Sequence, residues 1–388
     1  MIFVTGARGA PKDKAVRTLA LKMKSAGASD LSLCCIFFRY TDFSPHHLEI
    51  FSEIVKCKNI IGSAVPFIYT KPGIPQDIAC IGFDESDSSA FFLGDIKSSE
   101  APLRLESLFH QVASRQQRNK RGLLLGLFEA DIEYPPSLTR AIQRAIGLNI
   151  SFIGIASATL VGYRMKTGGV LYGGQVCDNA FAGLYLKNIR SAFSFASGFK
   201  PVGRSSKVTS YYKNIVKSVE KKPANLLYHR YFGPKYSLLN QGALNLISTL
   251  YPLGFRKEEE GFIIRAPSRI RIDGSLEFWG DVPSSHCQFM ISTKKDLIDS
   301  TVGAFKEAIK EISSPQMILV VDSAARVRAL GDLYYRIFDL AGEAVGSLPV
   351  VSIGVPYSMG KMSFSWGYSK LDILDHTATI VVLGRDNE

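Results

Sequence analysis

The residues with the clearest chemical potential stand just after apolar, strand-like runs of the sequence. In open α/β sheets such positions lie at the carboxyl ends of strands, where ligands usually bind. Arg326 is the strongest candidate, because a guanidinium can hold a carboxylate or a phosphate through two hydrogen bonds. The other predicted ligand-binding residues carry hydroxyl or carboxylate groups: Ser63, Ser157, Ser323, Tyr357, Asp375 and Thr377. Together they predict a site for a small anionic or zwitterionic molecule.

Two of these residues also have a simpler interpretation. Arg326 is equally well explained as a surface residue at the start of a helix. Thr377 and Thr379 suit a strand that faces solvent, since threonine is a good strand former. The sequence leaves both interpretations open.

Motifs typical of enzymes are weak or incomplete. The loop at residues 4–9, Val-Thr-Gly-Ala-Arg-Gly, lacks the third glycine of a dinucleotide-binding loop. His46 and His47 are sequence neighbours that point to different sides, which does not favour a shared metal ion. Residues 129–133 carry three alternating acids, which suit either a bound cation or a hydrated loop. These motifs leave an enzyme unsupported but not excluded, and we expect no catalytic residue, no metal and no cofactor.

An internal repeat predicts the elements that position these residues. Ile61-Gly62, Ile153-Gly154 and Ile353-Gly354 each close a short apolar strand. Around each pair the pattern predicts a strand, a helix, a second strand and a later alternating strand. The predicted elements are 31–38, 47–55, 59–62 and 78–83 in unit one, 123–128, 136–146, 151–154 and 180–186 in unit two, and 317–321, 330–345, 350–354 and 378–383 in unit three. The spacing leaves room for a degenerate fourth unit near Gly254.

The repeat predicts a mixed α/β fold. Continuous apolar strands joined by helices indicate parallel pairing, and the alternating strands indicate added antiparallel pairing. We expect two mixed sheets flanked by helices, with further helices at 12–26, 103–118 and 296–312. A domain boundary is predicted near Gly233-Pro234, which divides the chain into residues 1–233 and 234–388.

The composition is typical of a folded protein. Hydrophobic residues make up 46% of the 388 and charged residues 21%, which excludes a disordered chain. Apolar runs are too short to span a bilayer, and the N-terminus places apolar residues before charges, the reverse of a secretory signal. A cytoplasmic location is therefore expected. The six cysteines show no Cys-x-x-Cys spacing and are predicted to be reduced core thiols.

The net charge of +11 is concentrated in one stretch. Residues 187–222 contain nine basic residues and a single acid, Glu220, with aromatic residues interleaved. This pattern suits a solvated strand face, a surface that docks an acidic partner, or a single-stranded nucleic-acid site. Nucleic acid is the least favoured partner, because no Gly-rich RNA motif, zinc finger or helix-turn-helix pattern accompanies the stretch.

Several short segments resemble the FIST family. The segment 198–203, Gly-Phe-Lys-Pro-Val-Gly, with Val-Thr-Ser at 208–210, resembles the join between the two halves of FIST proteins. Residues 177–180, Cys-Asp-Asn-Ala, stand at the family's Ser-Asp-Gly-Ala turn. In the second half the matching segments are Asp-Gly-Ser-Leu at 273–276, Val-Pro at 282–283 and Leu-Asp-His-Thr-Ala-Thr at 374–379. The resemblance covers nearly the whole chain.

The resemblance implies an intracellular sensory module that binds a small, amino-acid-like ligand. It implies a FIST N-like domain at 1–233 and a FIST C-like domain at 234–388, and we expect a form of the family without an F-box. A signalling or acidic protein partner is compatible with this role, whereas membrane contact is not expected. The sequence also departs from the family, since Ser323 replaces a cysteine and Gly360-Lys361 replaces a Gly-Glu pair. A protein-interaction scaffold with a decayed pocket is therefore the alternative.

Overall fold

Three units with the same order of elements make up most of the chain. The computed structural model describes residues 2–9, 12–28, 30–39, 42–84, 88–114, 121–146, 150–161, 164–233, 241–257, 261–363 and 369–385. Each unit begins with a strand and a helix, continues with a parallel strand-helix-strand pair, extends a hairpin, and ends with an antiparallel strand. The three predicted units are confirmed.

Unit one shows the repeated order of elements in its simplest form, with six strands and two helices. Its elements in chain order are β1 (Ile2–Ala7), α1 (Lys12–Ser25), β2 (Asp30–Phe38), α2 (Pro45–Ser52), β3 (Lys56–Ala64), β4 (Phe67–Thr70), β5 (Ile74–Pro75) and β6 (Ile78–Phe83). Strands β2 and β3 are parallel, and β6 returns antiparallel between β1 and β2.

Unit two repeats this order with a longer third strand. Its elements are β7 (Ser88–Gly94), α3 (Ala101–Ser114), β8 (Gly122–Glu129), α4 (Pro136–Ala145), β9 (Ile150–Val161), β10 (Arg164–Thr167), β11 (Val170–Tyr172), β12 (Gln175–Cys177) and β13 (Ala180–Lys187). Strands β8 and β9 are parallel, and β13 lies antiparallel between β7 and β8. The predicted end of the helix at residue 118 lies outside the described residues.

Unit three is interrupted after its first strand, β14 (Arg190–Ala196), by an inserted antiparallel sheet. The insertion contains β15 (Lys200–Tyr212), β16 (Ile215–Val219), β17 (Lys222–Pro223), α5 (Leu226–Phe232), α6 (Gln241–Leu250), β18 (Leu253–Lys257), β19 (Gly261–Arg265), β20 (Pro267–Ile270), β21 (Leu276–Phe278) and β22 (His286–Ile291). Its strand order is β19-β18-β22-β15-β16-β21-β20, with β17 beside β16. All pairings within it are antiparallel.

The unit then resumes with the same topology as the other two. Its remaining elements are α7 (Lys294–Lys310), β23 (Ser314–Ser323), α8 (Ala324–Leu330), a 3-10 helix (Gly331–Tyr335), α9 (Arg336–Leu340), α10 (Gly342–Val345), β24 (Val350–Val355), β25 (Ser358–Ser363), β26 (Ser369–Leu374) and β27 (Ala378–Arg385). Strands β23 and β24 are parallel, and β27 lies antiparallel between β14 and β23.

The units exchange hairpins in a closed ring. Strand β11 of unit two pairs with β3 of unit one, β25 of unit three pairs with β9 of unit two, and β4 of unit one pairs with β24 of unit three. Each unit therefore completes its sheet with a strand from the next unit. Three units held in this way cannot separate without breaking backbone hydrogen bonds.

The repeated Ile-Gly pair is explained by this exchange. Each isoleucine lies in the shared central core. Each glycine is paired directly with a bulky residue of the incoming hairpin: Gly62 with Leu171, Gly154 with Met359 and Gly354 with Phe67. A Cβ atom at Gly62 would lie 2.4 Å from the Ile36 carbonyl oxygen and 3.1 Å from the Leu171 side chain. Glycine is required there because the neighbouring strand approaches too closely for any side chain.

Both faces of the three unit sheets are buried. In β2, Leu33, Cys35 and Phe37 face the central core, which contains residues of all three units. The alternate residues Cys34 and Ile36, with Phe38, face the helices α1 and α2 in a separate outer cluster. The helices of units two and three cover their own sheets in the same way. This two-sided burial explains why the strands are apolar throughout rather than alternating.

The structure differs from the sequence-based prediction in the number of sheets and in the element that contains Gly254. The described residues form four sheets rather than two, because each unit keeps its own sheet and the insertion adds a fourth. Gly254 lies in β18 of the antiparallel insertion and not in a strand-helix-strand unit. Strands on the two sides of residue 233 pair with each other, as β4 does with β24 and β14 with β27. The division into 1–233 and 234–388 stays a prediction.

The cysteines are free thiols, most of them in the core. Within the described residues all six cysteines are free, with Cys34, Cys35, Cys80 and Cys287 buried and Cys57 and Cys177 half-buried. Burial raises the pKa of the Cys287 thiol to about 12, so this thiol is unreactive at neutral pH. No helix of the described chain is long and apolar enough to cross a membrane.

Candidate functional site

A cavity of about 570 Å³ lies between unit two and the inserted sheet. Unit two contributes the connection between β7 and α3 and the connection between β8 and α4. The insertion contributes β20, β21 and the residues that follow. The lining residues are Ile96, Lys97, Ser98, Ser99, Pro102, Asp131, Ile132, Glu133, Tyr134, Ser137, Ser268, Arg269, Arg271, Glu277, Phe278 and Trp279.

Unit two supplies its wall of the cavity from the amino-terminal ends of two helices. Ser98, Ser99 and Pro102 surround the first turn of α3, and Ser137 lies in the first turn of α4. Hydrophobic residues beneath them, including Phe109 and Leu138, anchor both helices on the sheet. The positive ends of the two helix dipoles therefore face the cavity.

The insertion supplies charged residues and an aromatic wall. Arg269 lies opposite Glu277 in the register of the antiparallel strands β20 and β21, but the ion pair of Glu277 is with Arg271, whose Nε lies 3.0 Å from Glu277 Oε2. Trp279 lies on the floor and stacks on the buried ring of Tyr357, with ring centroids 4.7 Å apart. The wall thus combines cations with a flat apolar surface.

Some of the charged side chains that line the cavity form ion pairs within the protein, and others do not. Lys97 Nζ lies 3.2 Å from Glu129 Oε2 and 3.8 Å from Asp131 Oδ2. Arg269 and Glu133 are both exposed, and neither forms an ion pair with any part of the chain that the structure describes. The cavity therefore offers one uncommitted cation and one uncommitted anion.

The rim is closed by a hydrogen-bonded contact between unit two and the insertion. Tyr134 donates to Asp281 Oδ1 at 2.6 Å, and Arg140 binds the other oxygen of the same carboxylate at 2.8 Å. Loss of hydration, followed by the Asp281 hydrogen bond, raises the pKa of Tyr134 to about 12. The ammonium of Lys213, at the turn between β15 and β16, lies 4.9 Å from the centre of the Tyr134 ring.

One wall of this cavity lies in a region that matches a family model. Residues 224–359 match the family model described as FIST C domain. Over these residues the chain is similar to a FIST C domain. The match includes Arg269, Arg271 and Trp279 of the cavity, whereas the unit-two wall precedes it. The predicted resemblance is therefore confirmed for this region, and the FIST N-like assignment of residues 1–233 stays a prediction.

Comparison with solved structures adds a distant likeness in shape. A crystal structure of a chorismatase aligns over 98% of this chain and 98% of its own, with 9% identity and a TM-score of 0.35. A likeness at this level supports no conclusion about function. No curated protein matches this chain.

Arg326 lies inside the protein rather than in the cavity. Its side chain is fully buried in α8 and donates from Nε to Asp322 Oδ1 at 2.8 Å. Its terminal nitrogens donate to the carbonyls of Ser197 and Leu297 and to the hydroxyl of Thr301. The guanidinium is thus engaged within the protein on every side. Its role as a ligand anchor stays a prediction, and these contacts weigh against it.

Ser63, Ser157 and Tyr357 lie where the exchanged hairpins meet the units. Ser63 and Ser157 both donate to the carbonyl of Ala64, at 3.2 and 3.1 Å, and Ser157 also reaches the carbonyl of Gly169. Tyr357 is fully buried and donates to the Ala130 carbonyl at 2.8 Å. Tyr357 is in contact with the cavity lining, because Trp279 stacks on it.

Ser323, Asp375 and Thr377 form a separate group, in which Ser323 and Asp375 are buried and Thr377 is half-buried. Ser323 caps α8 by accepting a hydrogen bond from the Ala325 amide at 3.3 Å, and its own amide donates to the Thr377 carbonyl. Asp375 accepts from the Ala266 amide and from His376 Nδ1. The structure therefore brings these three residues together, but none of them lines the cavity, and their role as ligand contacts stays a prediction.

The weak motifs take structural roles. His47 Nδ1 lies 3.1 Å from the Ser44 amide and completes a capping box at α2. Glu129 binds Lys97 and the Asn179 amide. Within the described ranges no group of three or more His, Cys, Asp or Glu side chains is placed to hold a metal ion.

The cavity residues were mostly missed by sequence reasoning. Arg269 and Trp279 stand in an antiparallel insertion, and nothing in the sequence links them with residues 97–134 of unit two. Two signals did point there. The alternating acids at 129–133 include Asp131 and Glu133, and the family-like segment at 273–276 lies in the loop before β21.

Proposed function

We propose that this protein is a sensory ligand-binding protein of the FIST type that binds a small zwitterionic metabolite, such as an amino acid, in the cavity between unit two and the FIST C domain. The observation that supports this most directly is the pair of uncommitted opposite charges, Arg269 and Glu133, in one cavity. Its volume of about 570 Å³ is within the usual range for small-molecule sites.

Each group of such a ligand has a matching partner in the cavity. Arg269 suits the carboxylate, because its planar guanidinium can donate two parallel hydrogen bonds. The two helix amino-terminal ends add a favourable field for the same negative group. Glu133 suits the ammonium, and Trp279 suits an apolar side chain. The role is binding rather than catalysis, and a cytoplasmic setting is part of the proposal.

The test is thermal stabilisation and calorimetric titration with a panel of amino acids. A ligand that binds only the folded state stabilises it, by about 2.7 kcal/mol at a hundred times its Kd. We expect at least one amino acid to stabilise the wild type, and its decarboxylated and deaminated analogues to do so less.

A matched pair of variants makes the test specific. Arg269→Ala removes the uncommitted cation, whereas Arg256→Ala removes an exposed arginine from β18 of the same sheet, outside the cavity. We expect ligand stabilisation to be lost in the first and kept in the second. No response to the whole panel, or equal losses in the two variants, would contradict the proposal.

A further inference from the structure

A strongly basic surface lies beside the cavity and is not used by the proposed ligand site. It is formed by residues 200–223, hereafter the basic ribbon, which comprise β15, β16 and β17. The basic ribbon contains seven basic residues and one acid. All seven basic side chains belong to exposed residues: Lys200, Arg204, Lys207, Lys213, Lys217, Lys221 and Lys222.

The basic ribbon is firmly supported from beneath. Val208, Val216 and Val219 are buried in the core of the inserted sheet. On the solvent side the Thr209 and Ser218 hydroxyls lie 2.8 Å apart, and the Lys221 amide donates to Thr209 Oγ1. The lysines are therefore presented on a fixed scaffold, which lowers the entropy cost of binding a partner.

Most of the positive charge on the basic ribbon is unpaired among the described residues. Lys200 pairs with Asp296, and Glu220 accepts a hydrogen bond from the backbone amide of Lys207. In the part of the chain that the structure describes, the other six basic side chains of the basic ribbon form no ion pair, and Lys213 contacts the rings of Tyr134 and Tyr212. Repulsion among these cations would be relieved by an acidic partner.

We propose that the basic ribbon is a docking surface for an acidic protein segment. Two observations favour protein over nucleic acid. Six of the seven cations are lysines, which act as point charges, whereas arginine is preferred for phosphate. Tyr212 is exposed, but the ammonium of Lys213 lies 5.1 Å from the centre of its ring, on the surface a base would stack against.

The test measures binding of a fluorescent polyglutamate peptide of about twenty residues to the full chain at low and at physiological salt. The variant Lys207→Glu/Lys217→Glu/Lys221→Glu reverses three charges on the basic ribbon. Its control, Lys14→Glu/Lys24→Glu/Lys306→Glu, makes the same change in net charge at exposed positions on α1 and α7. Circular dichroism and thermal unfolding check that both variants remain folded.

The outcomes separate a local surface from a general charge effect. We expect the ribbon variant to bind the peptide at least tenfold more weakly and the control to stay within about threefold of wild type. Equal losses in the two variants would show that only net charge matters and would overturn the proposal. Tighter binding of an oligothymidylate of equal length, lost in the ribbon variant, would replace the acidic protein by nucleic acid.

Discussion

The buried pair of Asp322 and Arg326 allows the sharpest single prediction. Both side chains are completely buried, and they are joined at 2.8 Å. The second oxygen of Asp322 accepts from Tyr334 at 3.2 Å, and Tyr334 also contacts Ser352 at 2.7 Å. Burial, followed by the charge of Asp322, raises the pKa of Tyr334 well above its usual value, so its hydroxyl stays a donor.

Arg326→Ala should lower the free energy of unfolding by about 3–5 kcal/mol. The substitution leaves the Asp322 carboxylate buried with one hydroxyl donor and without a counter-charge. It also leaves the Thr301 hydroxyl and the carbonyls of Ser197 and Leu297 without their guanidinium donor. Urea unfolding monitored by circular dichroism measures the loss, and a protein that fails to fold counts as the extreme of the same effect.

The double variant Asp322→Leu/Arg326→Met is the control for this reasoning. It removes both charges together and replaces them with apolar groups, a change that is often close to neutral in other proteins. We expect it to recover most of the stability that Arg326→Ala loses. If Arg326→Ala unfolds like the wild type but no longer responds to the amino-acid panel, the structural explanation is refuted and Arg326 is the ligand anchor.

Two further predictions concern the ring of units and the rim of the cavity. Gly62→Ala should destabilise the protein by about 1–3 kcal/mol, because the new methyl group would meet the Ile36 carbonyl. Gly303→Ala in α7 meets open space and should stabilise by up to about 1 kcal/mol, and the reverse order in urea unfolding would contradict this account. Tyr134 has its pKa raised from 10 to about 12, so folded protein keeps a proton that the unfolded chain loses in this range. The free energy of unfolding should therefore fall between about pH 10 and 12, and less steeply in Tyr134→Phe, whereas equal slopes would speak against the raised pKa.

The repeat made much of the fold predictable. Each unit buries both faces of its sheet, so its strands are apolar throughout and its helices are amphipathic. These local patterns predict the order of the elements along the chain. The exchange of hairpins was not predictable in the same way. Leu171 pairs with Gly62 across more than a hundred residues, and no local pattern records which unit receives a hairpin. The one local feature that indicates the close approach of another strand is Gly62 itself.

The site residues were predicted from a rule for open α/β sheets, and the ring of three units does not follow that rule. Polar residues after parallel strands usually face an open crevice. Here the hairpin of the next unit lies against the third strand of each unit, and residues such as Ser157 and Tyr357 satisfy backbone carbonyls at that joint. The cavity instead depends on the inserted sheet, whose position over unit two is set by long-range contacts such as the one between Tyr134 and Asp281. Sequence periodicity contains no information about such contacts.

The interruption of unit three also explains why Arg326 and Arg269 should behave differently. In unit two the connection after β7 and the connection after β8 leave a cavity between them and the insertion. In unit three the connection after β14 begins at Ser197, and the Arg326 guanidinium already donates to its carbonyl. A ligand at Arg326 would have to displace internal hydrogen bonds, whereas one at Arg269 displaces only solvent. Loss of Arg326 should therefore reduce stability, and loss of Arg269 should reduce ligand binding while stability is kept.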